Sequence, residues 1–377
     1  MNITQPLTLL GGLSPERFMQ RHWQKKPLLV RGAVPAPSLF SRAELFELAS
    51  REEVEARLVV RSGKGMKLRP GPLPRRALPP ASQRDWTLLV QGLDLHSDRA
   101  QRLLAQFRFV PEARLDDLMV SWASDGGGIG PHFDSYDVFL LQLQGRRRWR
   151  IGRQKDLTLQ PDMPLKILAN FEPQHDYLLE PGDMLYLPPR YAHEGVAVGE
   201  CQTCSIGFRA PARGEMAREL LQRLAEDADE LAGAALYRDP GAPATATPGA
   251  VPGELQEFAA AAMRAALADP LAMNRALGEY LTEPKANVWF EGGDDLPVGA
   301  ALTLDRRSRM MHDAHHVFLN GESWRAAGRD AALMRKLADQ RGLSATDLTR
   351  ASAGALELLQ DWCGAGWLHP QQESGHE

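Results

Sequence analysis

The chain has 377 residues, enough for two or three domains and a sizeable core. Its 44% hydrophobic and 24% charged residues are ordinary for a soluble globular protein, and its net charge of -4 carries no global signal for nucleic acid or membrane. No apolar run approaches the roughly 20 residues that span a bilayer, and MNITQPLTLLGGLSPERF lacks the basic start and long apolar core of a signal peptide.

Residues 1–110 read as short helices mixed with extended pieces. LSPERFMQRHWQKKPLLVRGA predicts a helix with Ser14 as N-cap and Pro15 at the first position, then the strand PLLVRG. The Pro- and Arg-rich KLRPGPLPRRALPPAS predicts an irregular loop. Residues 111–210 are strand-dominated. The apolar runs LMVSWA, VFLLQLQ, RRWRIG, DMLYLPP and CQTCSIGF alternate with Gly, Pro and Asp turns, a pattern that predicts an antiparallel double-sheet barrel.

Cys201 and Cys204 form a C-x-x-C with no second copy, and Cys363 stands alone. On a strand, i and i+3 point to opposite faces, so the pair reads as strand residues before it reads as a redox or zinc pair. Three cysteines make no disulfide framework, and a reducing cytoplasm is the expected compartment.

After Arg209-Ala210-Pro211 the texture changes. GEMARELLQRLAEDADELAG has helical periodicity, DPGAPATATPGAVPG is a low-complexity linker, and ELQEFAAAAMRAALAD is helical again. Such a pair can serve as a dimerisation element or as an ordinary hairpin within the chain. From about residue 285, short strands (ALTLD, HHVFLNG) mix with helices (RDAALMRKLADQ, ASAGALELLQDWCGAGWL), as in a small winged-helix-like module. The tail lacks a dense basic helix, so direct nucleic-acid binding is not expected.

The chemistry concentrates in GGGIGPHFDSYDVFLLQLQGRRRWRIG and EPGDMLYLPPRYAHEGVAV. His132 and Asp134, at i and i+2, share one face of a strand. His193 follows the PGD turn of the second run and completes a 2-His-1-carboxylate set. That set suits Fe(II), with zinc, manganese and nickel as rivals for the same donors. Gly126, Gly127, Gly128 and Gly130-Pro131 bring the backbone tightly into the first pair. His22, His96, His175, His312, His315, His316, His369 and His376 lack such a context, and His315-His316 reads as a solvated turn.

An oxygenase of this ligand type commonly consumes 2-oxoglutarate, whose distal carboxylate needs a buried cation. In GRRRWRIG, Arg147 shares a face with Trp149 and Ile151, whereas Arg146, Arg148 and Arg150 share the other. Arg147 therefore points inward, to an anionic ligand or to an Asp or Glu partner. Ser121 and Ser205 are candidate hydroxyls for the same carboxylate, or plain strand serines. Tyr136 continues the parity of His132 and Asp134 and is placed at the mouth of the site. Asp116-Asp117 could face a cationic side chain, with Met119 and Tyr136 as walls for its stem. From spacing alone, the two acids read as a solvated turn.

These motifs, with FMQRHWQKKPLLVRGA, DDLMVSWASD and SIGFRAP, resemble the JmjC-type cupin oxygenases. More narrowly, they are similar to the bacterial ribosomal oxygenases of the arginine hydroxylase branch. The resemblance implies a mostly β plus α fold. A double-stranded β-helix (a JmjC/cupin jelly-roll barrel) would occupy residues 1–210, a helical dimerisation region 211–284, and a winged-helix-like domain 285–377. It implies Fe(II) on His132, Asp134 and His193, and 2-oxoglutarate on Arg147, with dioxygen as second co-substrate. It implies that Asp117, Met119, Tyr136 and Ser205 line a target-arginine pocket, and that the reaction hydroxylates the β carbon of an arginine in large-subunit ribosomal protein sixteen. A homodimer without membrane attachment is the expected assembly. The rival readings are a JmjC-type lysine demethylase and a non-catalytic cupin binding protein with a DNA-reading tail.

Overall fold

A computed structural model describes residues 2–35, 37, 39–63 and 65–371, so His376 lies outside the described residues. The chain divides into two compact units between Ala210 and Pro211. No described helix is long and apolar enough to cross a membrane.

In the first unit the predicted cap is present. The Ser14 hydroxyl accepts from the Arg17 backbone N–H at 3.3 Å, and Pro15 opens helix α1 (Pro15–Arg21). Pro fits there because its missing N–H has no intrahelical partner to lose. Helices α2 (Arg42–Leu48) and α3 (Asp98–Ala105) are the other α-helices among the described residues of this unit, alongside short 3-10 turns.

The strands are β1 (Leu28–Val30), β2 (Ala56–Ser62), β3 (Gly65–Pro70), β4 (Trp86–Val90), β5 (Leu115–Ala123), β6 (Asp137–Gly152), β7 (His175–Leu179), β8 (Met184–Leu187) and β9 (Ala192–Phe208). They form one antiparallel sheet in the order β1-β8-β6-β9-β5-β4-β2-β3, with β7 also paired to β6. This is the expected jelly-roll-like barrel.

VFLLQLQ and RRWRIG are not separate strands. They are the two ends of β6, 16 residues long, which pairs twice with the 17-residue β9. The register shifts between Gln142 and Arg146, and Gly145 at the shift has φ +62°. A Cβ there would lie 2.1 Å from the Glu200 carbonyl oxygen, so the bend requires glycine.

KLRP is also not loop. Lys67 to Pro70 belong to β3, the edge strand paired with β2. An edge tolerates a terminal proline because no further strand needs its N–H. The Pro/Arg composition concealed this.

The main core packs Trp86, Trp122, Phe18, Phe107, Phe139, Tyr186 and Phe208 in one cluster. The Trp86 and Trp122 rings lie 4.5 Å apart. Strand alternation then separates core from cavity. On β5, Leu118, Val120 and Trp122 enter the cluster, and Asp117, Met119 and Ser121 face a cavity on the other side. Cys204 joins the main cluster, whereas Cys201 packs with Ala123 and Ala197, and both thiols are free.

The second unit begins with α4 (Arg213–Glu226), α5 (Ala228–Ala232), α6 (Gly253–Ala266) and α7 (Pro270–Thr282). The Asp269 carboxylate caps α7 by accepting from the Leu271 N–H at 2.8 Å, and Pro270 opens it. Asp269-Pro270 is the same kind of local cap as Ser14-Pro15 at α1. Strands β10 (Ala301–Leu304), β11 (Met310–His312), β12 (His316–Leu319), β13 (Glu322–Arg325), β14 (Gly342–Leu343) and β15 (Leu368–Gln371) form two three-stranded sheets, β14-β10-β15 and β11-β12-β13. Helices α8 (Gly328–Gln340), α9 (Ala345–Leu348) and α10 (Ala353–Gly364) pack around them. His316 is not part of a solvated turn. It is buried on β12, with Nδ1 at 3.4 Å from the Asp313 carboxylate and its ring against Phe318. The following VFL made His316 the start of a buried strand.

Candidate active site

The loop Gly126–Pro131 returns the chain along β9. The Gly126 N–H donates to the Ala197 carbonyl at 3.1 Å, and the Ala197 N–H donates to Gly127 at 2.9 Å. The ladder ends in a single bridge, where the His132 and His193 backbones exchange hydrogen bonds of 2.9 and 2.8 Å. The His132-Phe133-Asp134 stretch is therefore not a regular strand, as i, i+2 parity supposed. Asp134 lies beyond the bridge, its carbonyl accepting from the Arg190 N–H at 2.7 Å. Cross-chain pairing brings the histidines together, and the turn at Arg190 holds the carboxylate beside them.

One ligand atom from each of His132, Asp134 and His193 lies within 4.8 Å of the others. The Asp134 carboxylate is 3.5 Å from His193 Nε2 and 4.0 Å from His132 Nε2. Each Nδ1 is occupied by a backbone carbonyl, Gly130 at 3.0 Å for His132 and Tyr191 at 2.9 Å for His193. This fixes Nδ1 as the protonated nitrogen and leaves both Nε2 lone pairs directed at the shared space. Burial, and then the neighbouring His132, lower the His193 pKa to about 4, with Asp134 opposing them. His193 is thus neutral at neutral pH, the form that can ligate an ion. Two imidazoles and one carboxylate on one side of an open space fit a divalent transition metal such as Fe(II).

Arg147 is buried, whereas Arg146, Arg148 and Arg150 are exposed. Its Nη1 donates to Ser121 Oγ at 3.0 Å, its Nη2 donates to the Gly195 carbonyl at 3.2 Å, and the guanidinium lies 5.1 Å from the Trp149 ring centre. Gly195 allows this approach, since a Cβ there would sit 2.7 Å from Arg147 Nε and from the Trp149 ring. Among the described residues no Asp or Glu pairs with Arg147. Burial lowers its pKa, because the charged form has lost water without gaining a counter-charge.

The triad and Arg147 line a single cavity of about 430 Å³. Ser121, Ser205, Asp117, Met119 and Tyr136 line it too. Ser121 bonds Arg147, whereas Ser205 sits one strand over, paired with Met119.

A JmjC domain profile matches residues 102–216, and a ROXA-like winged helix profile matches residues 265–369. Over 321 residues the chain is 34% identical to the ribosomal protein uL16 3-hydroxylase of Escherichia coli (strain K12), covering 81% of this chain and 84% of that one. The chain belongs to the JmjC ribosomal oxygenases. It is also 39% identical over 204 residues to a probable ribosomal oxygenase of Haemophilus influenzae, covering 53% of this chain and 50% of the relative. The crystal structure of Escherichia coli YcfD superposes with a TM-score of 0.82 at 29% identity, covering 94% of this chain and 98% of that one. A structure of the same ribosomal oxygenase in complex with cobalt and 2-oxoglutarate superposes with a TM-score of 0.79 at 29% identity, covering 95% and 98%.

The second wall of this oxygenase cavity is acidic. β5 shifts register between Leu115 and Leu118, where Asp116 and Asp117 lie. Asp117 is buried and accepts from the Gly92 N–H at 3.3 Å. Asp116 pairs with Arg209 at 3.0 Å. The spacing-only reading of a solvated pair therefore fails for Asp117: β5 begins at Leu115, and Asp117 takes the cavity-facing parity of Met119 and Ser121. Tyr136 remains 38% exposed at the mouth. Burial raises its phenol pKa, and the carboxylates of Asp134, Asp117 and Asp116 raise it further. Leu89 and Gln91 at β4, Arg57 on β2, and Leu165 to Ile167 also line the cavity. None of these was read from the sequence, because their place depends on which strands pair.

Proposed function

We propose that this chain is an Fe(II)- and 2-oxoglutarate-dependent protein hydroxylase that acts on the β carbon of an arginine in large-subunit ribosomal protein uL16. One observation carries the reading. A three-donor metal set, a buried arginine without a carboxylate partner, and a buried aspartate line one cavity. The relative from Escherichia coli is named a ribosomal protein uL16 3-hydroxylase, and the similar structure of the ribosomal oxygenase YcfD is a complex with cobalt and 2-oxoglutarate.

The roles follow from the charges. His132, Asp134 and His193 hold the ion on one face. Bound there with 2-oxoglutarate and dioxygen, iron supplies oxidative decarboxylation coupled to insertion of one oxygen atom into a C–H bond. Arg147 binds the distal carboxylate of 2-oxoglutarate, with Ser121 beside it and Ser205 one strand over. Asp117 holds the target guanidinium by charge-assisted hydrogen bonds, with Met119 and Tyr136 against its stem. This orients the target carbon toward the metal face and limits turnover without substrate. The cytoplasm, where ribosomal proteins are assembled, is the matching compartment.

The test incubates the iron-loaded protein with 2-oxoglutarate and uL16, then reads the mass of uL16 peptides. A gain of one oxygen on an arginine is expected. Loss of a methyl mass from a lysine would overturn hydroxylation in favour of demethylation, and no mass change with no succinate would favour a binding protein.

Asp117→Asn keeps the shape and the Gly92 contact and removes the charge. A hydrogen bond to a charged group contributes about 1.5–3 kcal/mol, so kcat/KM for uL16 should fall about 10- to 150-fold. Succinate formation without uL16 should persist. An unchanged kcat/KM would remove Asp117 from the substrate pocket.

The reading includes a homodimer through the helices after Pro211. Leu221, Met263 and Leu267 are 44%, 53% and 43% exposed, beside an apolar groove of about 550 Å³ on α4. Apolar surface of this kind marks an interaction site. Sedimentation should report two chains per particle; one chain at micromolar concentration would sink this part.

A further inference from the structure

Arg57 has no role in the reading above. It reaches the cavity from β2, in a row across the sheet: Ser121 of β5 pairs with Leu89 of β4, and Leu89 pairs with Arg57. It is half-buried and lines the cavity with Asp117, Met119 and Tyr136. Its Nη2 donates to Oε1 of Gln91, a neutral amide on the same cavity wall. Its Nε is shielded from water and has no acceptor. Among the described residues, no carboxylate pairs with it.

Packing does not call for such a residue. An apolar side chain could occupy this place on β2 without withdrawing a charge from water. The cavity lining also carries both signs of charge on this sheet, with Asp117 on β5 and Arg57 on β2, one strand between them. A polypeptide whose cationic side chain lies against Asp117 still carries main-chain carbonyl oxygens outside that contact. They are acceptors, and a guanidinium fork held from one side has donors left for them.

We propose that Arg57, held in place by Gln91, is a peptide-positioning residue that donates to main-chain carbonyl oxygens of the substrate beyond the residues that immediately flank the target. The proposal rests on the protein-hydroxylase reading above. It makes the oxygenase selective for the target within a chain over the target in a minimal fragment.

The test compares steady-state kinetics of the iron-loaded protein on a long peptide spanning the uL16 target with those on a tripeptide centred on it. Arg57→Ala should raise KM for the long peptide about tenfold, the loss of one charge-assisted hydrogen bond. Its kcat and its KM for 2-oxoglutarate should stay unchanged. The tripeptide should show no difference between variant and parent. Arg57→Lys, which keeps the charge and loses the fork, should fall between. If Arg57→Ala does not fold, Gln91→Leu carries the test, because it frees the guanidinium from its anchor and should raise the same KM. An unchanged KM for the long peptide overturns the proposal, as does an equal rise for both peptides or a parallel rise for 2-oxoglutarate. Those outcomes leave the hydroxylase reading standing. A parent protein that consumes 2-oxoglutarate and modifies neither peptide overturns that reading, and this proposal with it.

Discussion

Asp134→Ala is expected to abolish succinate production and to lower metal affinity by more than the roughly 10- to 100-fold that loss of an outer-shell partner costs. The variant leaves two imidazole donors and removes the one carboxylate charge of the set that offsets the ion. His132 and His193 would still be held by Gly130 and Tyr191 through Nδ1, so the defect should lie in charge and donor number and not in their orientation. The fold should survive, because the Asp134 side chain packs in no core cluster and its backbone contact to Arg190 needs no carboxylate. Cobalt titration followed by a succinate assay checks both parts, with circular dichroism as the control for folding. Succinate release at the parental rate would mean that the ion is held elsewhere.

Arg147→Ala should raise the Kd for 2-oxoglutarate by about 10- to 150-fold, the equivalent of about 1.5–3 kcal/mol for hydrogen bonds to a charged group. Cobalt should bind as before, since Arg147 contributes no ligand atom to the triad. Stability should change little. The variant removes bonds to Ser121 and Gly195, but it also removes a buried guanidinium with no counter-charge among the described residues. Those terms oppose each other. A structural ion pair would behave differently, because its loss would strand a buried carboxylate and lower Tm. Calorimetric titration with 2-oxoglutarate and a thermal melt therefore separate the roles. Unchanged co-substrate affinity would sink the assignment.

Much of this site was legible in the chain because its signals are local. Alternation along GRRRWRIG singles out Arg147, and the structure has that residue buried between exposed arginines. Ser14 and Pro15 mark the start of α1 by the same kind of near-neighbour chemistry. The donor types at 132, 134 and 193 indicate a metal set, and the three side chains do converge. The route to convergence was different: a backbone bridge between His132 and His193, which strand parity could not supply.

Other features escaped for one shared reason. Asp117 looked like a turn acid until the pairing of Leu115 with Phe208 carried β5 back over it, on the cavity face with Met119 and Ser121. Arg57 and Gln91 sit far from the triad in the chain, and β4 and β2 join the cavity only by sheet order. The bent β6 read as two strands, since the paired stretch of β9 that bridges Gly145 lies some fifty residues onward.

The sequence by itself determined the donor set, the inward arginine, the capped first helix and the barrel class, because spacing, parity and caps act between chain neighbours. Only the tertiary structure decided that Asp117 is buried, that His132 faces His193 across a bridge, and that Arg57 shares their cavity. Those outcomes depend on which strands pair and in what register, and a shift of one residue in register moves every side chain of a strand to the opposite face.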